Sequence, residues 1–287
     1  MAIQWFPGHM AKARREVQEK LKLVDFVIEL VDARAPYSSQ NPMMQQLLNQ
    51  KPKMMVLMKQ DLADEQVTRE WLTHFEGQGI VSVAVDVNER QAIQAVIATA
   101  KDMVKDKMQR LEKKGVRPRP ARAMIIGIPN VGKSTLINRL AHKKIAKTGN
   151  KPGITKSQQW IKVKKDFELL DTPGILWPKF EEELVGLRLA AIGTIKDQIL
   201  PLEDIAAFVI NYLKTAYPQR LQDRYQLSLE EEDLLAIFEQ IGRKRGCLES
   251  GGKVNIEKTT DVILQDIRLG HFGRITLEHP DQIESDK

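Results

Sequence analysis

Through the first 178 residues, short apolar runs alternate with longer amphipathic stretches; beyond that point the pattern changes. Phe26-Val27-Ile28-Glu29-Leu30-Val31, Met54–Met58, Ile80–Val85, Ala123–Ile126 and Phe167–Leu170 are brief and almost wholly apolar, as strands buried on both faces should be. The charged residues 9–23 are expected to form a helix leading into the first strand, and between the strands helical stretches are expected near 40–50, 65–77 and 90–113. This alternation predicts an α/β unit with a mostly parallel sheet. From Trp177-Pro178 onward the spacing is helical throughout. Leu184, Leu187 and Ala191 mark one face; Ile205, Phe208, Val209 and Tyr212 mark another. Ser228 with Glu231 reads as a capping box opening a helix with Leu234, Leu235, Phe238 and Ile241 inward. A further helix over 257–269 carries Val262, Ile263 and Ile267 and stops at Gly270, and the polar tail 278–287 is expected to fray. The expected division is residues 1–178 as the α/β domain and 179–287 as a smaller all-α domain.

The segment after Ala123–Ile126 carries the most specific chemistry. Residues 127–134 read GIPNVGKS, a phosphate-binding loop between a strand and a helix. Gly127 and Gly132 let the backbone turn so that successive N–H groups face a polyphosphate, with Asn130 and Val131 between them. Lys133 supplies a cation, the Ser134 hydroxyl suits Mg²⁺, and Thr135 continues the helix N-terminus that would hold the phosphates. Two later elements fit beside it. Asp171, at a strand's end in Asp171-Thr172-Pro173-Gly174, can hold Mg²⁺ through water, while the Gly174 N–H can meet a γ-phosphate. Thr155, in Lys151-Pro152-Gly153-Ile154-Thr155, offers the metal a second hydroxyl.

A base-reading element precedes the loop. The run Met54–Met58 ends in Lys59-Gln60-Asp61, and a carboxylate at Asp61 accepts from both N1–H and the exocyclic amine of guanine. Adenine offers no such pair, so GTP is selected over ATP by charge-assisted bonds of about 1.5–3 kcal/mol each. The Lys59 stem can lie along the base, and Asp86 ends another strand where a loop can approach it. Met58 is a departure: an Asn or Thr usually stands there, and its missing hydrogen bond predicts looser binding without a change of base choice.

The order is base reader, P-loop, switch threonine, Mg²⁺ aspartate, whereas a standard GTPase begins with the P-loop. With Trp5-Phe6-Pro7-Gly8-His9-Met10, Asp32-Ala33-Arg34-Ala35-Pro36 and the DTPGILWPKF run at 171–180, nearly the whole chain resembles the circularly permuted GTPases, in particular those of ribosome biogenesis. The implied fold is a circularly permuted P-loop GTPase domain followed by a helical RNA-binding domain. The resemblance also implies GTP hydrolysis stimulated by the large ribosomal subunit, whose precursor and rRNA would be the partners.

Many GTPases orient the attacking water with a glutamine after the D-x-x-G glycine; here that position is Ile175. Two substitutes are open. His9 can swing toward the γ-phosphate, the role the resemblance implies, or be a surface histidine. Asn130 can hold K⁺ against the phosphates, as in related K⁺-stimulated enzymes, or only brace the loop. Arg243, Lys244, Arg245 and Lys253 lie between two helices, where they can track a phosphate backbone or simply be solvated; the resemblance favours RNA.

A net charge of +6 suits an anionic partner, and a lone cysteine, Cys247, excludes a disulfide framework and suits a reducing cytoplasm. No apolar run is long enough to span a membrane. Nothing demands an oligomer, so a monomer is expected. The competing function is a guanine-nucleotide-sensing RNA-binding module that barely hydrolyses GTP, consistent with Ile175; an ATP-dependent enzyme is a third reading.

Overall fold

The computed structural model describes residues 15, 17–48, 51–117, 119–143, 145, 159–165, 167–174, 176–177, 180, 182–195, 197, 200–227 and 233–284. His9, Thr155, Ile175, Ser228 and Glu231 lie outside these residues. A six-stranded sheet runs in the order β3-β2-β1-β4-β6-β5. Its strands are β1 (Phe26–Asp32), β2 (Lys53–Met58), β3 (Val81–Val85), β4 (Ala121–Gly127), β5 (Gln159–Lys164) and β6 (Phe167–Asp171). Only the edge strand β5 pairs antiparallel; all other neighbours are parallel. The sheet is therefore the mostly parallel one expected of the α/β half.

Alternation along β1 decides how the sheet is covered. Ile28 and Leu30 point with Met54 and Val56 toward the helix Arg90–Lys113, which buries Ile93, Val96 and Ile97 against them. Val31 faces the other way with Met55 and Leu57, under Trp71 and Phe75 of the helix Glu65–Gly77. This period of two explains why both faces of β1 are apolar and why no residue of the strand is exposed.

Helices Glu183–Ala191, Leu202–Ala216, Pro218–Tyr225, Leu234–Lys244 and Ile256–Leu269 follow the sheet. Three expectations need correcting here. Leu184 and Leu235 are exposed, and the inward positions are Val185 and Leu189 in one helix and Ile237, Phe238 and Ile241 in the other. The helix Leu234–Lys244 is capped by Asp233, whose carboxylate accepts from the Leu235 N–H at 3.3 Å. The basic run is only partly a loop: Gly242, Arg243 and Lys244 form the last turn of that helix, while Arg245 and Lys253 lie between the two helices. Gly242 is required there, because a Cβ would lie 2.3 Å from Val254 Cγ1 and 2.6 Å from Thr259 Oγ1.

The expected fraying from residue 278 is likewise corrected, because the chain beyond Gly270 returns across the sheet half. The Leu277 N–H donates to the Arg34 carbonyl at 2.7 Å, and Trp71 Nε1 donates to the Glu278 carbonyl at 3.1 Å. Glu278, fully buried, accepts from Ser38 N at 3.0 Å, Ser38 Oγ at 2.6 Å and the Tyr37 N–H, and meets Arg188 at 3.3 Å. The polarity that suggests a loose tail instead satisfies the amides of the Tyr37–Ser38 turn. One apolar cluster runs from β4 through the helix Ile256–Leu269.

Another buried carboxylate ties the segment leading into β4 to the start of β1. Asp25, immediately before β1, receives Arg119 Nη1 and Nη2 at 2.8 Å each, Lys107 at 2.8 Å and the Arg122 N–H at 2.9 Å. Burial alone would raise this carboxyl, but Arg119, Lys107 and the Arg122 amide hold it well below the usual carboxylate range. A carboxyl depressed in the folded state contributes stability above its unfolded pKa, and that contribution is lost as pH falls through the folded value. Asp25→Asn is therefore expected to lower unfolding free energy by about 1–2 kcal/mol at neutral pH, since its partners are partly solvated. The deficit should shrink as pH drops below about 4. Denaturant titrations across a pH series check this; a deficit of constant size contradicts it.

Candidate nucleotide site

Parallel pairing brings five strand ends to one edge of the sheet. Asp32 stands opposite Met58, Met58 opposite Val85, Leu30 opposite Gly127, and Ile125 opposite Asp171. The P-loop leaves β4 here. Gly132 takes φ 103 and caps the helix Lys133–Ala141, whose first N–H groups have no partners within the helix. Close approach accounts for the other two glycines. A Cβ on Gly127 would lie 3.1 Å from the Leu30 carbonyl oxygen, and one on Gly174 would lie 3.1 Å from Pro129 Cα and N. The D-x-x-G turn thus rests directly on the P-loop backbone.

Lys133 Nζ meets Asp171 Oδ1 at 2.7 Å with both side chains buried. Burial pulls the ammonium pKa down and Asp171 pulls it back up. Asp171 Oδ2 is buried too and accepts no hydrogen bond. A hard divalent cation would satisfy that orphaned oxygen, with Ser134 on the adjoining turn as a hydroxyl ligand. Among the described residues no three His, Cys, Asp or Glu cluster. A magnesium ion here would be held as it commonly is with nucleotides, by a carboxylate, a hydroxyl and phosphate oxygens.

The base reader adjoins this loop. A Cβ on Gly132 would be 3.1 Å from Met58 Cε, so the methionine that replaces the usual amide packs against the phosphate loop. Lys59 adopts φ 61 and ψ 39, a left-handed conformation unusual for a residue with a side chain. Its Nζ pairs with Asp32 Oδ2 at 2.8 Å. Asp61 is exposed on the following turn, Gln60–Leu62. Burial, then the Asp86 carboxylate, push its pKa up, so Asp86 faces the same space. Asp86 Oδ1 accepts from the Asn88 N–H at 2.8 Å, and Asn88 Oδ1 accepts from Arg139 on the P-loop helix at 3.3 Å. Met58, Lys59, Asp61, Asp86, Lys133 and Asp171 are thus gathered on one edge; Val131 is buried beneath the loop, and Ser134 and Thr135 are partly exposed.

Asn130, also left-handed at φ 59, donates through Nδ2 to the Gly193 carbonyl at 2.8 Å. That contact joins the P-loop to the turn after the helix Glu183–Ala191, and sequence reasoning missed it. It also assigned no role to Asp32 and Arg34. The available signal was an aspartate at a strand's end with an arginine two residues on, a pattern that permits the fork-shaped pairing seen here. Arg34 Nε and Nη2 donate to Asp32 Oδ1 and Oδ2 at 2.9 Å each.

Comparison with known proteins agrees with this geometry. Residues 122–242 match a family model described as 50S ribosome-binding GTPase. The chain is 59% identical to ribosome biogenesis GTPase A of Bacillus pumilus, covering 98% of this chain and 100% of that one. It is 56% identical to the protein of the same name from Bacillus licheniformis, over 99% and 100%. The chain belongs to the ribosome biogenesis GTPase A family. A solved structure of GNP-bound YlqF from T. maritima is 28% identical, covers 94% of this chain and 99% of its own, and superposes with a TM-score of 0.65. GDP-bound TM YlqF gives 0.66 at 27% identity, over 93% and 100%. The protein is a GTPase, and the family's chemistry depends on Mg²⁺, for which the orphaned oxygen of Asp171 is the fitting ligand. No described helix is long and apolar enough to cross a membrane.

Met58 makes the site testable. Its methyl fills space beside Gly132 where an amide would instead donate to a bound purine. Met58→Asn is expected to tighten GDP two- to tenfold, the range set by one hydrogen bond of about 0.5–1.5 kcal/mol. Calorimetric titration measures it; an unchanged or weaker affinity contradicts it.

Proposed function

We propose that this GTPase is a nucleotide-controlled assembly factor for the large (50S) ribosomal subunit, binding rRNA in the GTP state and releasing it after hydrolysis. One observation carries the reading. Arg243, Lys244, Arg245 and Lys253 are all exposed at and after the end of the helix Leu234–Lys244, beside the helix Ile256–Leu269, whose last turn packs on the base-reading half. Cations grouped this way suit a phosphate backbone. The names of the relatives point to ribosome biogenesis, and the matching family model to the 50S particle. The protein acts as a monomer in the cytoplasm, and the subunit stimulates its turnover.

At the site, Asp61 reads guanine with Lys59 along the base and Asp86 at its edge. Met58, Asn130, Val131, Gly132, Lys133, Ser134, Thr135 and Gly174 enclose the phosphates, with Thr155 closing over them. Ser134, Thr155 and Asp171 hold Mg²⁺. Asn130 helps hold K⁺ against the phosphates. Lys133 stabilises charge on the transferred phosphoryl group, and His9 orients water in place of the glutamine that Ile175 displaces.

Multiple-turnover phosphate release, with and without 50S particles, tests the assignment. Stimulation by the particle is expected, with Arg243→Glu and Lys253→Glu weakening particle binding at low salt; a flat response to the particle contradicts it. His9→Ala should leave nucleotide affinity nearly unchanged while lowering turnover about 10²-fold or more. An equal loss of both would give His9 a structural role instead.

A further inference from the structure

We propose that Arg34 is a positioning residue for the guanine-reading turn, and that it ties the turn to the helical half of the chain. The proposal rests on the reading of Lys59 and Asp61 as the base-binding pair. Arg34 is 1% exposed, an unusual location for a guanidinium, and its side chain donates only inward, to Asp32 and to backbone carbonyls of the helix Ile256–Leu269. One side of its fork grips both Asp32 oxygens at 2.9 Å. The remaining nitrogen, Nη1, donates to the Ile267 carbonyl at 3.1 Å and reaches the Arg268 carbonyl at 3.5 Å. Those carbonyls belong to the last turn of Ile256–Leu269, the negative end of that helix.

Asp32 passes the constraint on. Its Oδ2 is shared between Arg34 Nη2 at 2.9 Å and Lys59 Nζ at 2.8 Å. Lys59 is the residue whose left-handed backbone turns the chain from β2 into the Asp61 turn, so fixing its ammonium fixes the start of that turn. The same helical segment holds the turn's exit. A Cβ on Gly270 would come 2.6 Å from Leu62 Cδ2, Ile275 N–H donates to the Leu62 carbonyl at 3.0 Å, and Asp64 N–H donates to Thr276 Oγ1 at 3.1 Å. Residues 267–276 thus clamp the base reader at both ends. The opposite end of the helix, about 20 Å away at 1.5 Å per residue, begins just after the exposed Lys253. A ligand that shifts this helix must change guanine-nucleotide affinity, and by linkage the nucleotide must change the affinity for that ligand. Lysine cannot reproduce the fork: one ammonium cannot occupy both Asp32 oxygens and the Ile267 carbonyl in this geometry.

A double-mutant cycle on the full chain tests this, with GDP affinity as the readout and thermal melting as the fold control. Arg34→Lys is expected to weaken GDP about tenfold in the native background and less than about twofold in Lys59→Ala, because the two act in series. Equal losses in both backgrounds, or no loss in the first, overturn the proposal. If Arg34→Lys does not fold, hydrogen exchange replaces it: GDP should slow exchange across 266–272 in the native protein and not in Lys59→Ala. Equal protection in both, or none in either, overturns the proposal. Asp61→Asn, assayed with guanosine and xanthosine diphosphates, separates the two levels. Loss of guanine preference together with an additive cycle removes the Arg34 relay alone, whereas retained guanine preference removes the base reading beneath it.

Discussion

β1 pairs in parallel with β2 on one side and β4 on the other, and the rest of the site depends on that pairing. Parallel neighbours end at the same edge, so the turns after Met58 and Gly127 open into the same space although about seventy residues, including two helices and the strand β3, separate them. The chain's direction reverses its order at this point: β2 and β3 lie to one side of β1, while β4, β6 and β5 lie to the other. A crevice forms where strand order switches in an open α/β sheet, and ligands collect there. Chain order is then immaterial to the chemistry, which is why a permuted sequence retains a GTPase site.

Around that crevice the protein keeps charges that would be costly without partners. Asp32 with Arg34 and Lys59, Lys133 with Asp171, and Glu278 with Arg188 are all substantially buried. Such pairs are weak contributors to net stability because desolvation offsets their attraction. Their common location is more telling. Each sits at the strand ends or where the helical half meets them, and each fixes a direction for a side chain or turn. Asp32 illustrates the balance: burial alone would raise its pKa, yet Arg34 and Lys59 override this and keep it ionised.

The helical half is joined to the nucleotide site at both of its working ends. Asn130 of the P-loop binds the Gly193 carbonyl, and Arg268 grips the neighbouring carbonyls of Ala190 and Ala191 at 3.0 and 3.3 Å. Arg34, paired through Asp32 with Lys59, binds the adjacent Ile267 carbonyl. Contacts from the P-loop side and from the Lys59 side therefore converge on one helix terminus. This arrangement gives a physical route by which nucleotide state and the exposed cations of residues 243–253 can influence one another, without requiring a flexible linker between the halves.

The sequence alone determined five of the sheet's six strands, the glycine loop with its lysine and serine, and the Asp171 and Lys59–Asp61 turns at strand ends, because each depends on local periodicity or on residue types at fixed spacing; the edge strand β5, in which only Ile161 and Val163 are buried, escaped it. It also implied their permuted order. Tertiary structure decided what local pattern cannot encode: which apolar positions face inward at Leu184 and Leu235, whether a polar tail frays, and what Arg34, Asn130 and Glu278 touch. Those partners lie from 63 to 241 residues away along the chain. A buried carboxylate and a solvated one look alike as letters; only packing that removes water and supplies distant donors distinguishes them.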